Sequence, residues 1–192
     1  MKQRYEIILA GSGGQGLVLS GRVLGLAAIL EGKNVAQTQS VLGDAQRGGL
    51  STAEVVIDTE EITFQQVEHP DVILALGDMA IKKFATATPR IALLYESGLA
   101  DLGERSGLYA FPFAELSARH GYASNMIALG AIIALAGPVS LESMEKAIRQ
   151  SFSGAAAGKN LEAVRFGMEL AHTPQPARAG AADTPVTGGQ RL

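Results

Sequence analysis

Tyr5-Glu-Ile-Ile-Leu-Ala-Gly-Ser-Gly-Gly-Gln-Gly16 is the stretch on which the fold turns. An apolar run of strand type enters a glycine-rich turn, and an apolar helical pattern opens at Leu17. Strand, tight turn and helix in that order let backbone N–H groups and the positive end of a helix dipole face an anion. Gly11, Ser12, Gly13, Gly14, Gln15 and Gly16 are therefore candidates for holding an anionic, phosphate-type group. Glycines in such a turn also permit tight backbone geometry with no ligand at all, and the residues leave both readings open.

Outward from that turn the chain alternates strands and helices. Tyr5–Ala10 reads as the first strand, Gln15–Glu31 as the first helix with Gly32 closing it, and Asn34–Gln39 as the second strand. A second glycine cluster, Asp44-Ala-Gln-Arg-Gly-Gly49, leads into a strand over Leu50–Ile57. Asp58–Glu61 reads as a hairpin connection to a return strand at Ile62–Phe64. Asp71–Leu76 is almost wholly apolar, as a parallel strand covered on both faces should be.

Further strands are expected at Arg90–Tyr95 and Tyr109–Phe111, the latter halted by Pro112. Helices are expected at Met79–Ala85, Ala114–His120, Ala123–Ala136, Leu141–Phe152 (Ser140 as N-cap) and Lys159–Ala171. The pattern predicts an α/β, doubly wound, mainly parallel sheet with an inserted antiparallel hairpin and helices on both faces. Residues 1–172 form the expected domain, and the Pro-, Gly- and Ala-rich residues 173–192 a flexible tail.

Composition narrows the function. With 47% hydrophobic and 18% charged residues the chain falls among globular proteins. A net charge of −3 without a basic run argues against a nucleic-acid partner. The longest apolar stretch, Met126–Ala136, is too short to span a bilayer and reads as a buried helix, so no membrane insertion is expected and the cytoplasm is the expected location. The absence of cysteine removes disulfides, zinc–thiolate sites and the usual ligands of an iron–sulfur cluster. His69, His120 and His172 are scattered without metal-ligand spacing, so no metal site is expected.

An ordinary NAD fold carries an acidic residue at the end of its second strand to hold the ribose hydroxyls. Here that strand ends Gln37-Thr-Gln-Ser40, all uncharged, which disfavours NAD in its usual pose. Arg47, followed by Gly48 and Gly49, offers a rigid fork for carboxylate or phosphate on a backbone that another surface can approach closely. An exposed arginine beside a turn is the plainer alternative. Ser124-Asn125-Met126 opens the most apolar helix.

Gly11-Ser-Gly-Gly-Gln-Gly16, Gln37-Thr-Gln-Ser40, Ala45-Gln-Arg-Gly-Gly49, Asp71–Leu76, Asn125-Met-Ile-Ala-Leu-Gly130 and Lys159-Asn-Leu-Glu-Ala163 follow one another in order. Together they resemble the gamma subunit of the 2-oxoacid:acceptor oxidoreductases, over about Arg4 to Leu170. The resemblance implies one subunit of a larger enzyme, inert alone and with no catalytic residue of its own. That enzyme oxidatively decarboxylates a 2-oxo acid on thiamine diphosphate with Mg2+. It passes electrons through [4Fe-4S] clusters to ferredoxin or another acceptor, and mostly transfers the acyl group to coenzyme A. Thiamine and clusters are expected on partner subunits, in agreement with the missing cysteines and with Gly77-Asp-Met79, which no Asn-Asn pair completes as a thiamine motif.

In that reading the first glycine turn is the coenzyme A candidate, and Gln39, Ser40, Gln46, Arg47, Gly48, Gly49 and Asn125 are interface or substrate-cleft candidates. The run Gln39-Ser-Val-Leu-Gly-Asp-Ala-Gln-Arg-Gly-Gly49 departs from the 2-oxoglutarate type by one extra residue and a missing proline, which favours an aryl 2-oxo acid. The rival readings are an independent flavin- or nicotinamide-binding oxidoreductase and a purely structural subunit.

Overall fold

The computed structural model describes residues 2–42 and 49–173. Six strands, β1 (Arg4–Ser12), β2 (Asn34–Leu42), β3 (Leu50–Asp58), β4 (Val72–Ala75), β5 (Ala92–Glu96) and β6 (Leu108–Phe111), form one sheet in the order β2-β3-β1-β4-β5-β6. Six helices, α1 (Leu17–Leu30), α2 (Asp78–Phe84), α3 (Phe113–His120), α4 (Ser124–Ala136), α5 (Leu141–Ser151) and α6 (Gly154–His172), complete the described fold.

β1, β4, β5 and β6 run parallel, and β3 lies antiparallel to both β1 and β2. β3 is thus the one reversed strand, inserted between β1 and β2. An antiparallel hairpin is present, but it is β2–β3 rather than the expected pair of Leu50–Ile57 with Ile62–Phe64. Ile62–Phe64 does not form the return strand read from the sequence. Both edges of β3 are already occupied, by β1 and β2, so no edge is left for it. Residues 59–71 instead cross the sheet as a loop, held where Glu6 accepts the N–H groups of Glu68 at 2.8 Å and His69 at 2.7 Å.

Alternation along β1 sorts its side chains onto two faces. Tyr5, Ile7 and Leu9 join Val55, Ile57, Leu74 and Leu94 in the larger core, under α1, α4, α5 and α6. Ile8 and Ala10 join Ile73, Ala75, Leu93 and Tyr95 in a smaller core closed by Ala80 and Ile81 of α2. Met126–Ile133 of α4 is buried throughout, as its apolar composition requires.

Several boundaries move for identifiable reasons. α1 begins at Leu17 rather than Gln15 because Gly14 and Gly16 have φ of 85° and 71°, outside the right-handed helix region. α6 begins at Gly154 rather than Lys159, since the alanines of Gly154-Ala-Ala-Ala-Gly158 are the strongest helix formers. α5 ends at Ser151, one residue early, and Ser140 caps its start by accepting the Ser143 N–H at 3.2 Å. The tail expected over 173–192 lies, beyond Thr173, outside the described residues.

Candidate functional site

β1 and β4 are neighbours, but the chain leaves β1 for α1 and β2 on one side and returns to β4 on the other. The crevice at the carboxyl ends of these two strands is therefore the topological switch point, where open α/β sheets take ligands. The first glycine turn lies there. Gly11 and Ser12 are the last residues of β1, Gly13 to Gly16 make the turn, and α1 starts at Leu17.

Gln15 spans this crevice. Its Oε1 accepts the Ser12 N–H at 2.7 Å and its Nε2 donates to the Leu76 carbonyl at 3.2 Å, linking the end of β1 to the end of β4. A Cβ on Gly11 would lie 2.1 Å from Gln15 Oε1, so Gly11 is glycine to admit the glutamine side chain. A Cβ on Gly77 would lie 2.8 Å from Ser12 Oγ and 2.9 Å from Ser12 N. Sequence reasoning weighed Gly77 only as part of an incomplete thiamine motif and missed its packing on Ser12, for which its place directly after an apolar strand was the available signal.

The start of α1 is fixed from a second side. Gly16 O accepts the Ser20 N–H at 2.9 Å, Ser20 Oγ–H at 3.1 Å and Asn125 Nδ2–H at 3.2 Å. Asn125 is the second residue of α4 and is 7% exposed. A Cβ on Gly16 would stand 2.5 Å from its Nδ2. The structure therefore brings Asn125 to the glycine turn, an association that sequence separation hid. Among the described residues no side chain caps the N-terminus of α1. Gly14 is exposed, and no atom within 4 Å would meet a Cβ built on it, so the turn is open to solvent above the crevice.

The other candidates sit one and two strands away. Leu42, Leu50 and Ser12 share one row across β2, β3 and β1, so both glycine clusters are anchored at the same end of the sheet. Gln39 and Ser40 are exposed on β2, and Ser40 Oγ lies 2.6 Å from Thr52 Oγ1. Gly49 is buried at the foot of β3, whereas Gln46, Arg47 and Gly48 lie outside the described residues.

Along the same sheet end Glu96, 5% exposed, accepts the Ala114 N–H of α3 at 2.7 Å and the Gly98 N–H at 2.9 Å. It is an acidic residue at a strand end, but its oxygens serve a helix start rather than a ribose. Among the described residues no group of three or more His, Cys, Asp or Glu could hold a metal ion. No helix among them is long and apolar enough to cross a membrane.

The described residues thus place a glycine turn at the switch point of an α/β sheet, tied by the amides of Gln15 and Asn125, with no acidic residue at the described end of β2. Residues 6–170 match the pyruvate ferredoxin/flavodoxin oxidoreductase family, and the chain belongs to that family. It is 38% identical over 174 residues to the 2-oxoglutarate synthase subunit KorC of Archaeoglobus fulgidus, covering 88% of this chain and 89% of that one. The gamma subunit of a keto/oxoacid ferredoxin oxidoreductase from Geobacter sulfurreducens is 34% identical, with a TM-score of 0.74 over 88% of this chain and 97% of that one.

A 2-oxoglutarate:ferredoxin oxidoreductase from Magnetococcus marinus, solved with 2-oxoglutarate, coenzyme A and succinyl-CoA, has the same fold over 31% of its chain and 89% of this one, with 24% identity and a TM-score of 0.75. The protein is a gamma-type subunit of a multi-subunit 2-oxo acid:ferredoxin oxidoreductase.

Proposed function

We propose that this subunit supplies the coenzyme A side of the assembled enzyme, with its first glycine turn receiving the diphosphate or another anionic part of that co-substrate. The observation that carries this reading is the open, uncapped start of α1 at the switch point, fixed by Gln15 and Asn125. Coenzyme A in the Magnetococcus marinus enzyme supports it. Thiamine diphosphate, Mg2+ and the [4Fe-4S] clusters reside on partner chains, a division that the cysteine-free composition supports. The subunit has no turnover alone. Its backbone N–H groups and helix dipole orient the acceptor thiol's carrier, while bond cleavage and electron transfer take place elsewhere.

Two observations bear on the acid. The nearby relative is named for 2-oxoglutarate, which supports that substrate. The extra residue and missing proline in Gln39–Gly49 favour an aryl 2-oxo acid. In the same reading Arg47 pairs with a carboxylate, a coenzyme A phosphate or an acidic group across the subunit interface.

The test is steady-state kinetics of the enzyme reconstituted with its thiamine and iron–sulfur partners, using 2-oxoglutarate, pyruvate and phenylglyoxylate in turn. Gly14→Ala places a methyl group in the open space above the turn and should raise KM for coenzyme A about tenfold, equivalent to about 1.4 kcal/mol, with kcat little changed. Arg47→Ala should leave the subunit folded and weaken assembly or raise KM. Turnover by the isolated chain would sink the subunit reading. An unchanged KM for coenzyme A in Gly14→Ala would remove the ligand from the turn.

A further inference from the structure

We infer that the outer edge of β2, which no described strand pairs, and the outer stripe of α1 form a two-fold interface with a second copy of this chain, in which the two β2 strands pair antiparallel about Thr38. This goes beyond the proposed coenzyme A role, since it concerns the outer edge of the sheet.

The two edges of the sheet are unlike. β6 is a four-residue strand followed at once by Pro112. β2 is a nine-residue edge strand, Asn34-Val-Ala-Gln-Thr-Gln-Ser-Val-Leu42, with no charged residue and no proline. Edge strands are normally protected by shortness, lysine, proline or a covering element, and an unprotected one is a template for another strand.

The residues of β2 indicate which strand that is. Val35-Ala-Gln-Thr-Gln-Ser-Val41 reads the same in both directions except that Ala36 answers Ser40, two small residues. Antiparallel pairing centred on Thr38 sets Val35 opposite Val41 of the second copy, Ala36 opposite Ser40, Gln37 opposite Gln39, and Thr38 opposite itself. Each is a matched cross-strand pair, and no like charges meet. Self-complementarity of this kind is what an isologous two-fold contact requires.

A second observation places apolar surface beside that edge. α1 has only one charged residue, Arg22, among its fourteen. A helix apolar on all sides is normally buried on all sides. Its Gly21 and Gly25 lie against Gln37 and Val35 of β2. One position round the helix, Arg22 is exposed and Leu26 partly buried, in a stripe that continues to Leu19 (39% exposed) and Ile29 (56%).

With Leu30, Val41 and Leu42, five of the eight large hydrophobic residues exposed in the described chain belong to α1 and β2. Stable protein interfaces bury about 1,200 Å² or more, beyond what strand edges alone supply. The α1 stripe extends the contact along the same side.

Because the chain has no cysteine, a single introduced thiol in the isolated full chain can form a protein disulfide only between copies. In the assembled enzyme a link between copies is told from one to a partner subunit by its mass. Directly opposed residues in an antiparallel pair have Cα atoms about 4.5–5.5 Å apart, within disulfide range. Thr38→Cys and Asn34→Cys would be oxidised mildly in the full chain and in the assembled enzyme, with the native chain's mass measured by light scattering. The expected result is a dimeric native mass and an efficient cross-link from Thr38→Cys, at least tenfold above Asn34→Cys, whose two copies stand eight residues apart along the pair.

Adding Val41→Lys to the Thr38→Cys chain should lower the cross-link about tenfold without loss of circular dichroism, since Val41 is 58% exposed. A monomeric native mass with equal, low cross-linking at both positions would overturn the inference. So would a β2 edge protected from hydrogen exchange in the assembled enzyme by a different subunit, with no Thr38→Cys link between copies.

Discussion

The two ends of the sheet are built from different chemistry. At the amino end of the parallel strands, charges do the fastening. Arg4 Nε donates to Glu6 at 2.9 Å and Arg4 Nη1 to Asp58 at 3.2 Å, while fully buried Asp71 accepts the Glu6 N–H at 2.9 Å and pairs with Lys2. At the carboxyl end, the turn is fastened by neutral amides, Gln15 and Asn125. Charge-assisted bonds are the stronger kind and suit a part that only has to hold. Neutral amides fix the turn without setting a carboxylate beside the place where an anion would arrive. The contrast separates the end that secures the fold from the end that remains open to a ligand.

The largest effect should come from the amino end. Asp71→Ala leaves the buried Glu6 N–H unpaired and frees Lys2 and Arg90, both of which can rehydrate. Urea unfolding should show a loss of about 2–3 kcal/mol. A loss below 0.5 kcal/mol would mean that the charged end is not what secures the sheet. Gly16→Ala comes next, at about 2 kcal/mol, because the residue is left-handed and its methyl group would meet Asn125. Gly14→Ala, left-handed but unobstructed, should cost about half as much. Equal losses would show that Asn125 yields freely.

Gln15→Ala should cost about 1 kcal/mol by releasing the Ser12 N–H and the Leu76 carbonyl. It should also broaden amide hydrogen exchange around the turn without touching the amino end.

The smallest effect is a pH dependence. Burial pushes the Glu31 carboxyl up, but bonds from Lys33 Nζ and the Ser140 N–H outweigh it and hold the pKa at about 2 against an ordinary 4.5. Glu6 moves in the same direction: burial opposes ionisation, and the His69 N–H, Arg4 and the Glu68 N–H more than compensate. A depressed carboxylate contributes stability above its unfolded pKa and loses it as pH falls through the folded one. The stability gap between the native chain and Glu31→Gln should therefore be full at pH 7 and close between pH 4.5 and about 2. A gap that persists unchanged at pH 2 would remove the charge contribution.

The switch-point end was the more legible one in the sequence. Tyr5–Gly16 announced strand, turn and helix because glycine spacing and apolar runs are local signals. The sheet order was less accessible. Nothing local says that Leu50–Asp58 inserts beside β1, and the loop at Ile62–Phe64 has strand-like residues but no free neighbour. Asn125 was read as a helix start and an interface or cleft candidate, but its contact with Gly16 was not foreseen, since it spans 109 positions. Gln15 was taken as a ligand-side residue, yet its amide is engaged within the fold. Among the glycines of the turn, spacing alone did not say which are left-handed; they are Gly14 and Gly16.

The reversed strand β3 has a consequence for how the chain must fold. Its slot lies between β1 and β2, which precede it in the sequence and are joined through α1. Direct pairing of β1 with β2 during synthesis would close that slot before β3 emerged. Productive folding therefore favours β2–β3 zipping first and docking on β1 as a pair, with β4, β5 and β6 adding in turn on the other side. Pairings of this separation are slow to form and expose unpaired edges while they do. Refolding yield should therefore fall as protein concentration rises, through association of those same edges.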